Sequence, residues 1–508
     1  MQHNISTVVI VGGGTAGWMT AAALAKAGNR RFAIKLIEAE DISPVGVGES
    51  TIPMIQLFNE LAGIDENTFM RETQATFKLG IEFQDWGQLG QRYMHAFGAI
   101  GHRSRILPFH HYWLRMLQAG KADDLWAYTI NAQAARAQRF MRADSSLGYS
   151  PLAEIAHAFH IDAGLYARFL RRHAEGLGVQ RIQAKVLAAE LHPENGHVQA
   201  VRLVGGDRVE GELFVDCSGF RALLIEQTLH TGYEHWNHWL PCDRAVVVPS
   251  ARTADLLPFT RATARPAGWQ WRIGLQHRTG NGHVYASRAM SDDEAAAVLM
   301  RNLDSEPLAE PRILHFNSGR RRKIWNRNVV AIGLAAGFME PLESTAIHLV
   351  QSSITRLIQF FPDAEFNPAD IAEFNRQCDF ETERIRDFLV LHYHATARRD
   401  SDFWNHCRTM DVPASLKEKL ALYGASGRIV RRGDELFSEV GWLQVMHGQG
   451  IRPAAHHPLA DALDEDEVVA YLDDVKGAVR RCVAQMPSHA EYVAAQCAAT
   501  PEAQVCSS

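Results

Sequence analysis

The run Gly12-Gly13-Gly14-Thr15-Ala16-Gly17 constrains this chain more than any other feature. It follows a β-branched segment, Thr7–Val11, and opens an alanine-rich segment, Trp18–Ala27, that reads as a helix closed by Gly28. Phe32–Glu38 then reads as a second strand. Strand, glycine turn, helix and strand in that order begin a parallel, doubly wound α/β sheet. Gly12, Gly14 and Gly17 form GxGxxG in its required context. The first glycine permits the tight turn, the second lets backbone approach a pyrophosphate, and the third allows helix to pack on strand. The helix start, with Thr15 and Ala16, offers unpaired N–H groups and partial positive charge to phosphates. Glu38 closes the second strand near the spacing expected of an acid that binds ribose hydroxyls.

Two later segments rejoin the same sheet. Val215-Asp216-Cys217-Ser218-Gly219 is a strand running into a small-residue turn, and Val329–Gly333 is a strand ending before a glycine-containing loop. The dinucleotide-binding unit is therefore discontinuous. We expect its parts at residues 1–110, 176–225 and 321–365. A helical insertion at 111–175 returns to it, a β-rich substrate layer spans 226–320, and a helical C-terminal module spans 366–508. Val198–Val204 and Gly211–Asp216 flank Gly205-Gly206-Asp207, whose turn chemistry predicts a hairpin. A long helix is expected over Thr345–Phe361, where apolar residues recur at helical spacing.

Composition narrows the class. The chain has 508 residues, 46% apolar and 22% charged, with a net charge of -6, so no basic field points to nucleic acid. Seven scattered cysteines without CxxC spacing argue against a disulfide framework. The start lacks the basic and cleavable pattern of a signal peptide, and no apolar stretch reaches membrane-spanning length. A cytoplasmic enzyme is expected. Paired histidines (His110-His111, His157/His160 and His392/His394) have no ligand-set spacing, so no metal is assigned.

Three blocks carry a family resemblance: Gly46-Val47-Gly48-Glu49-Ser50-Thr51-Ile52-Pro53, Thr76-Phe77-Lys78-Leu79-Gly80-Ile81-Glu82-Phe83, and Phe338-Met339-Glu340-Pro341-Leu342-Glu343-Ser344-Thr345. A fourth, Trp269-Gln270-Trp271-Arg272-Ile273, is similar to a WxWxIP signature, with Gly274 in place of proline. Together they resemble the flavin-dependent tryptophan halogenases, of the FAD-dependent aromatic hydroxylase-like superfamily, along nearly the whole chain. The alternation of Phe77, Leu79, Ile81 and Phe83 by itself reads as one strand with an apolar face, which puts Lys78 and Glu82 on the other.

The resemblance implies FAD, used as FADH2, with chloride or bromide. Val47, Gly48, Glu49 and Ser50 would pass along the flavin, and Val186, Leu334 and Ile347 would contact it. No second GxGxxG suggests a nicotinamide site, so a separate flavin reductase is the implied partner. Dioxygen and reduced FAD would oxidise halide to hypohalous acid, which travels to an electron-rich, indole-like ring. Lys78 would meet the acid, by hydrogen bond or as a haloamine, while Glu343 would orient the electrophile and take the ring proton. The helix start at Thr345 and Ala346 would bind the halide through backbone N–H groups. Ser344 or Thr345 could cap that helix. His95, Phe97, Pro341 and Ser344 would line the substrate site. Trp269 and Trp271, on one face of a strand, would crowd the flavin or simply pack. Arg431 and Arg432 would repel an ammonium group, which argues against free tryptophan. A homodimer is compatible with these features. A direct hydroxylase and a flavoprotein that has lost halogenation are the alternatives.

Overall fold

A computed structural model describes residues 4–39, 48–101 and 106–499. Val47, expected at the flavin, lies outside them. The strands from the expected sites assemble into one six-stranded sheet, ordered Trp325–Asn326, Val329–Ala331, Leu213–Asp216, Thr7–Val11, Ala33–Glu38 and Gln180–Gln183. Thr7–Val11 pairs in parallel with both Leu213–Asp216 and Ala33–Glu38, and Leu213–Asp216 pairs in parallel with Val329–Ala331. Strands this central read as continuous apolar runs because both faces are covered. Val8, Val9 and Ile10 are fully buried.

The helix Thr15–Gly28 packs on this sheet and ends at Asn29 in the left-handed conformation. It lies against the helices Ala163–Gly176 and Ala346–Gln359. A seven-stranded sheet forms the second layer, with Arg244–Ala251, Arg278–Tyr285, Gly268–Gly274 and Thr260–Arg265 inside it and Arg312–His315 at one edge. Gly80–Gln84 and Arg92–Ala96, from early in the chain, extend it by a parallel pairing to Thr260–Arg265. The C-terminal third is helical, built on Pro368–His394, Ala414–Ser426, Glu439–Gly448 and Glu465–Gln485. One apolar core runs through all of these layers, from Ile5 to Cys497. Among the described residues, no helix is long and apolar enough to cross a membrane.

Two sequence expectations are corrected. The hairpin closes between Val198–Leu203 and Arg208–Glu210, whereas Leu213–Asp216 leaves it for the parallel sheet. Three fully buried residues, Leu213, Phe214 and Val215, gain two covered faces there, which a hairpin edge could not supply. Nor is 76–83 a single strand. Thr76–Lys78 pairs with Ala158–Asp162 in a small sheet that also holds Gly48–Ser50, and Gly80–Gln84 belongs to the seven-stranded sheet. The break at Leu79, whose N–H donates to Pro258 O at 2.7 Å, carries Lys78 into the interior rather than to a solvated face.

Candidate active site

The glycine turn is shaped by its neighbours. Gly12 has φ +116°, and a Cβ there would stand 2.2 Å from the Cys217 carbonyl oxygen. A Cβ on Gly17 would stand 1.9 Å from Gly12 O. Both positions therefore require glycine. At Gly14, by contrast, a Cβ would meet nothing within 4 Å. Gly14 also starts the Thr15–Gly28 helix without a side-chain cap and with no acid in the first turn. Free N–H groups facing open space are what a phosphate requires.

That space continues into a cavity of about 520 Å³ lined by Gly14, Thr15, Ala16, Gly48, Glu49, Ser50, Trp271, Leu334, Pro341, Ser344, Ala346 and Ile347 among others. Burial pushes the Glu49 carboxyl up to about 7. Trp271 is on the wall, whereas Trp269 is set back, its Nε1 donating to Glu340 Oε2 at 2.8 Å. Gly12 and Gly17 shape the turn without reaching this wall, and two further expected flavin contacts are not on it. Val186 lies in the separate three-stranded sheet with the hairpin. Glu38 accepts from Trp18 Nε1 at 3.1 Å and pairs with Arg181 and Arg171. The residues present fit a flavin: a glycine cradle with uncapped amides opens into a chamber walled by aromatic, aliphatic and small side chains.

Lys78 is fully buried, yet among the described residues it makes no ion pair. Its Nζ donates to Thr51 O at 3.0 Å and to Ser344 Oγ at 2.8 Å, and lies 5.2 Å from the Phe97 ring centre. Burial brings its ammonium down to about 7, with the Glu343 carboxylate opposing the shift. Ser344 reaches Lys78 from a left-handed turn at φ 60° and thus does not cap the following helix; Thr345 precedes that helix and gives no side-chain cap either. Ala346 begins the helix on the cavity wall, with ordinary helical backbone, while Thr345 is behind it. Ser344 therefore joins the flavin chamber to the lysine.

Glu343, 1% exposed, sits between two imidazoles. Oε2 is 2.8 Å from His95 Nδ1, and Oε1 is in ion-pair contact with His392 Nε2 at 2.7 Å. Burial raises this carboxyl, but the two imidazoles outweigh it and hold it down to about 2. Tyr93 OH lies 3.2 Å from the far nitrogen of His392. Around His95 the rings of Phe388 and Phe437 lie 5.4 and 6.0 Å away, and Phe388 meets Trp442 edge-on at 4.8 Å. His95 is thus at Glu343 and Phe97 at Lys78, with the rings of Phe388 and Phe437 beside His95.

His392 was legible in the sequence only as half of an unassigned histidine pair. Its partners Glu343 and Tyr93 are 49 and 299 residues away, and no local spacing signals them. The arginines at 431 and 432 have partners of their own. Arg432 pairs with Glu418 at 2.9 Å and Arg431 Nη2 donates to Glu435 O at 2.6 Å. The buried Glu435 is itself paired with Lys419 at 2.9 Å.

A family model described as tryptophan halogenase matches residues 7–465. The chain belongs to the tryptophan halogenase family. A flavin-dependent halogenase from Xanthomonas campestris is 47% identical in sequence and superposes with a TM-score of 0.95, over 98% of this chain and 99% of that one. Another from Brevundimonas is 45% identical, TM-score 0.93, over 97% and 99%. Tryptophan 7-halogenase RebH of Lentzea aerocolonigenes is 33% identical over 98% of this chain and 99% of its own. This tryptophan halogenase family member is a flavin-dependent halogenase.

Proposed function

We propose that this halogenase takes FADH2 from a separate flavin reductase and uses dioxygen with chloride or bromide to halogenate an electron-rich, indole-like ring at Lys78 and Glu343. When bound, the reduced flavin supplies the oxidation of halide to hypohalous acid. Everything else falls to the chain. The amides at Thr345 and Ala346 open the Ala346–Gln359 helix toward the chamber and offer a halide partial positive charge. Ser344, on the chamber wall, accepts the hydrogen bond from Lys78 Nζ.

The observation that carries this reading is Lys78 itself. A lysine buried without a counter-charge in contact is costly, and such groups concentrate at functional sites. Poised near pH 7, Nζ can donate a hydrogen bond to hypohalous acid or, as the free amine, accept its halogen. Glu343 supplies fixed negative charge beside the developing cation on the ring.

The pairing of Glu435 with Lys419 leaves that buried acid no charge to spare for an amino-acid ammonium. This supports an indole or substituted indole over free tryptophan. The two neighbours at 47% and 45% identity are named only as flavin-dependent halogenases, whereas tryptophan 7-halogenase is more distant.

The test supplies purified protein with FAD, a flavin reductase, NADH and bromide, and follows indole and tryptophan by mass spectrometry. We expect bromoindole from the native protein. Lys78→Ala should lose product at least about 1,000-fold, from loss of an obligatory group, while peroxide release continues. Hydroxylated product in both proteins, independent of bromide, would transfer the case to a monooxygenase.

A further inference from the structure

Lys78 stands on a strand that its own sheet holds from one side only. Thr76–Lys78 is the outer strand of the small sheet, paired with Ala158–Asp162 and, among the described residues, with no strand beyond it. It is three residues long, and after Leu79 the chain joins the seven-stranded sheet. An edge strand presents unpaired backbone N–H groups, and where it is buried they need partners from elsewhere.

For Phe77 that partner comes from far along the sequence. Its N–H donates to His489 Nε2 at 3.1 Å, across 412 residues of chain. His489 is fully buried, and its Nδ1 lies 2.8 Å from Leu256 O. A backbone N–H only donates and a carbonyl oxygen only accepts, so the tautomer is fixed. Nδ1 carries the proton, and Nε2 keeps its lone pair for Phe77. Burial holds the ring down to about 4, which leaves it neutral near pH 7.

The imidazole is anchored without help from the strand. His489 N–H donates to Gln138 O at 2.8 Å, and a Ser488–Glu491 capping box starts the His489–Gln496 helix. Leu256 belongs to the loop whose Pro258 O accepts from Leu79 N–H. The amides on either side of Lys78 are thus both tied, Phe77 to His489 and Leu79 to Pro258. The lysine Nζ itself has two neutral oxygens as hydrogen-bond partners, Thr51 O and Ser344 Oγ. Its placement therefore falls to the backbone that carries it.

We propose that His489 is a positioning residue for Lys78: by accepting the Phe77 N–H it fixes the edge strand from which Nζ reaches Ser344. The His489–Gln496 helix thereby belongs to the halogenating apparatus. This rests on the halogenase reading above and adds the element that sets its lysine. Misplacing a reacting group by about 1 Å costs on the order of 100-fold in rate. Loss of the tie should therefore slow halogen transfer and leave flavin oxidation as it was.

The test compares His489→Asn with His489→Gln in the full chain with its flavin. The Gln carbonyl reaches the place of Nε2 and can accept from Phe77. The shorter Asn amide reaches only the place of Nδ1, so it keeps Leu256 and leaves Phe77 N–H without a partner. Each protein is given FAD, a flavin reductase, NADH, bromide and indole, and bromoindole and peroxide are measured side by side. Hydrogen exchange at the Phe77 amide, followed by mass spectrometry, reports the tie independently of activity.

We expect His489→Asn to lose about 100-fold in kcat for bromoindole. Its KM for indole, FAD affinity and peroxide release should match the native protein, while Phe77 exchanges faster. His489→Gln should recover most of the lost rate and slow the exchange again. Native-rate bromination by His489→Asn would overturn the proposal, as would a loss that His489→Gln does not repair. Failure of His489→Asn to fold, or a loss shared by FAD binding and peroxide release, would make the tie structural alone and overturn it too. A native protein that brominates no aromatic, or bromination that survives Lys78→Ala, would remove the reading beneath the proposal, a result distinct from any His489 outcome.

Discussion

The flavin cradle and the Lys78–Glu343 centre are neighbours joined by Ser344, yet they are made in opposite ways. The cradle is backbone: a Cβ on Gly12 or Gly17 would fall within 2.3 Å of a carbonyl oxygen, whereas one on Gly14 would meet nothing within 4 Å. The centre is side chain. Lys78 comes from the small three-stranded sheet, Glu343 from the turn before the Ala346–Gln359 helix, His95 from the seven-stranded sheet and His392 from the Pro368–His394 helix. A backbone site is destroyed by added atoms and is indifferent to pH. A buried side-chain site tolerates shape changes better than changes of charge, because each charge depends on its few partners.

The comparison can be broken most forcefully at Gly12. Gly12→Ala must accommodate both a positive φ and a Cβ 2.2 Å from Cys217 O. We expect loss of detectable FAD binding in a fluorescence titration and destabilisation of about 3 kcal/mol, as for backbone strain. A variant that binds FAD normally would show that the turn is softer than its contacts imply.

Next comes the charge at Lys78. The folded protein releases this proton near pH 7, whereas an unfolded lysine holds it to 10.5. Between those values unfolding takes up a proton, so stability rises with pH, and the penalty is complete below the lower value. Lys78→Met should therefore raise the melting temperature at pH 6, by on the order of a few kcal/mol in stability, and flatten the slope between neutral and alkaline pH. A variant that melts lower at pH 6 would mean that the lysine is stabilising and charged.

Gly14→Ala sharpens the contrast within the cradle itself. Since a Cβ there meets nothing, melting of the flavin-free protein should be unchanged. FAD affinity should fall about tenfold, or ~1.4 kcal/mol, because the methyl occupies the phosphate approach. The smallest effect is expected at Arg432, which pairs with Glu418 on the surface. Arg432→Ala should change stability by less than about 0.5 kcal/mol and leave the ranking of indole over tryptophan as it was. A reversed ranking would return Arg432 to the substrate site.

The sequence by itself determined the parts whose information is local. The glycine turn needs its conformation within six residues. The parallel strands declare themselves as short β-branched runs because burial on both faces removes polar positions. The blocks around Lys78 and Glu343 were legible for a related reason, since each is a contiguous motif. What only the tertiary structure decided is how these blocks act on one another. Lys78 alternates with apolar neighbours like any surface charge, and only the switch between two sheets at Leu79 turns it inward. Arg431 and Arg432 carry no sign of their partners in the sequence, and only the fold gives them the Glu435 backbone carbonyl and the Glu418 carboxylate. His392 and Tyr93 carry no local signal, because their role lies in contacts made across 299 residues of chain. Charges far apart in sequence acquire their protonation states from burial and from one another, and both exist only once the layers have closed.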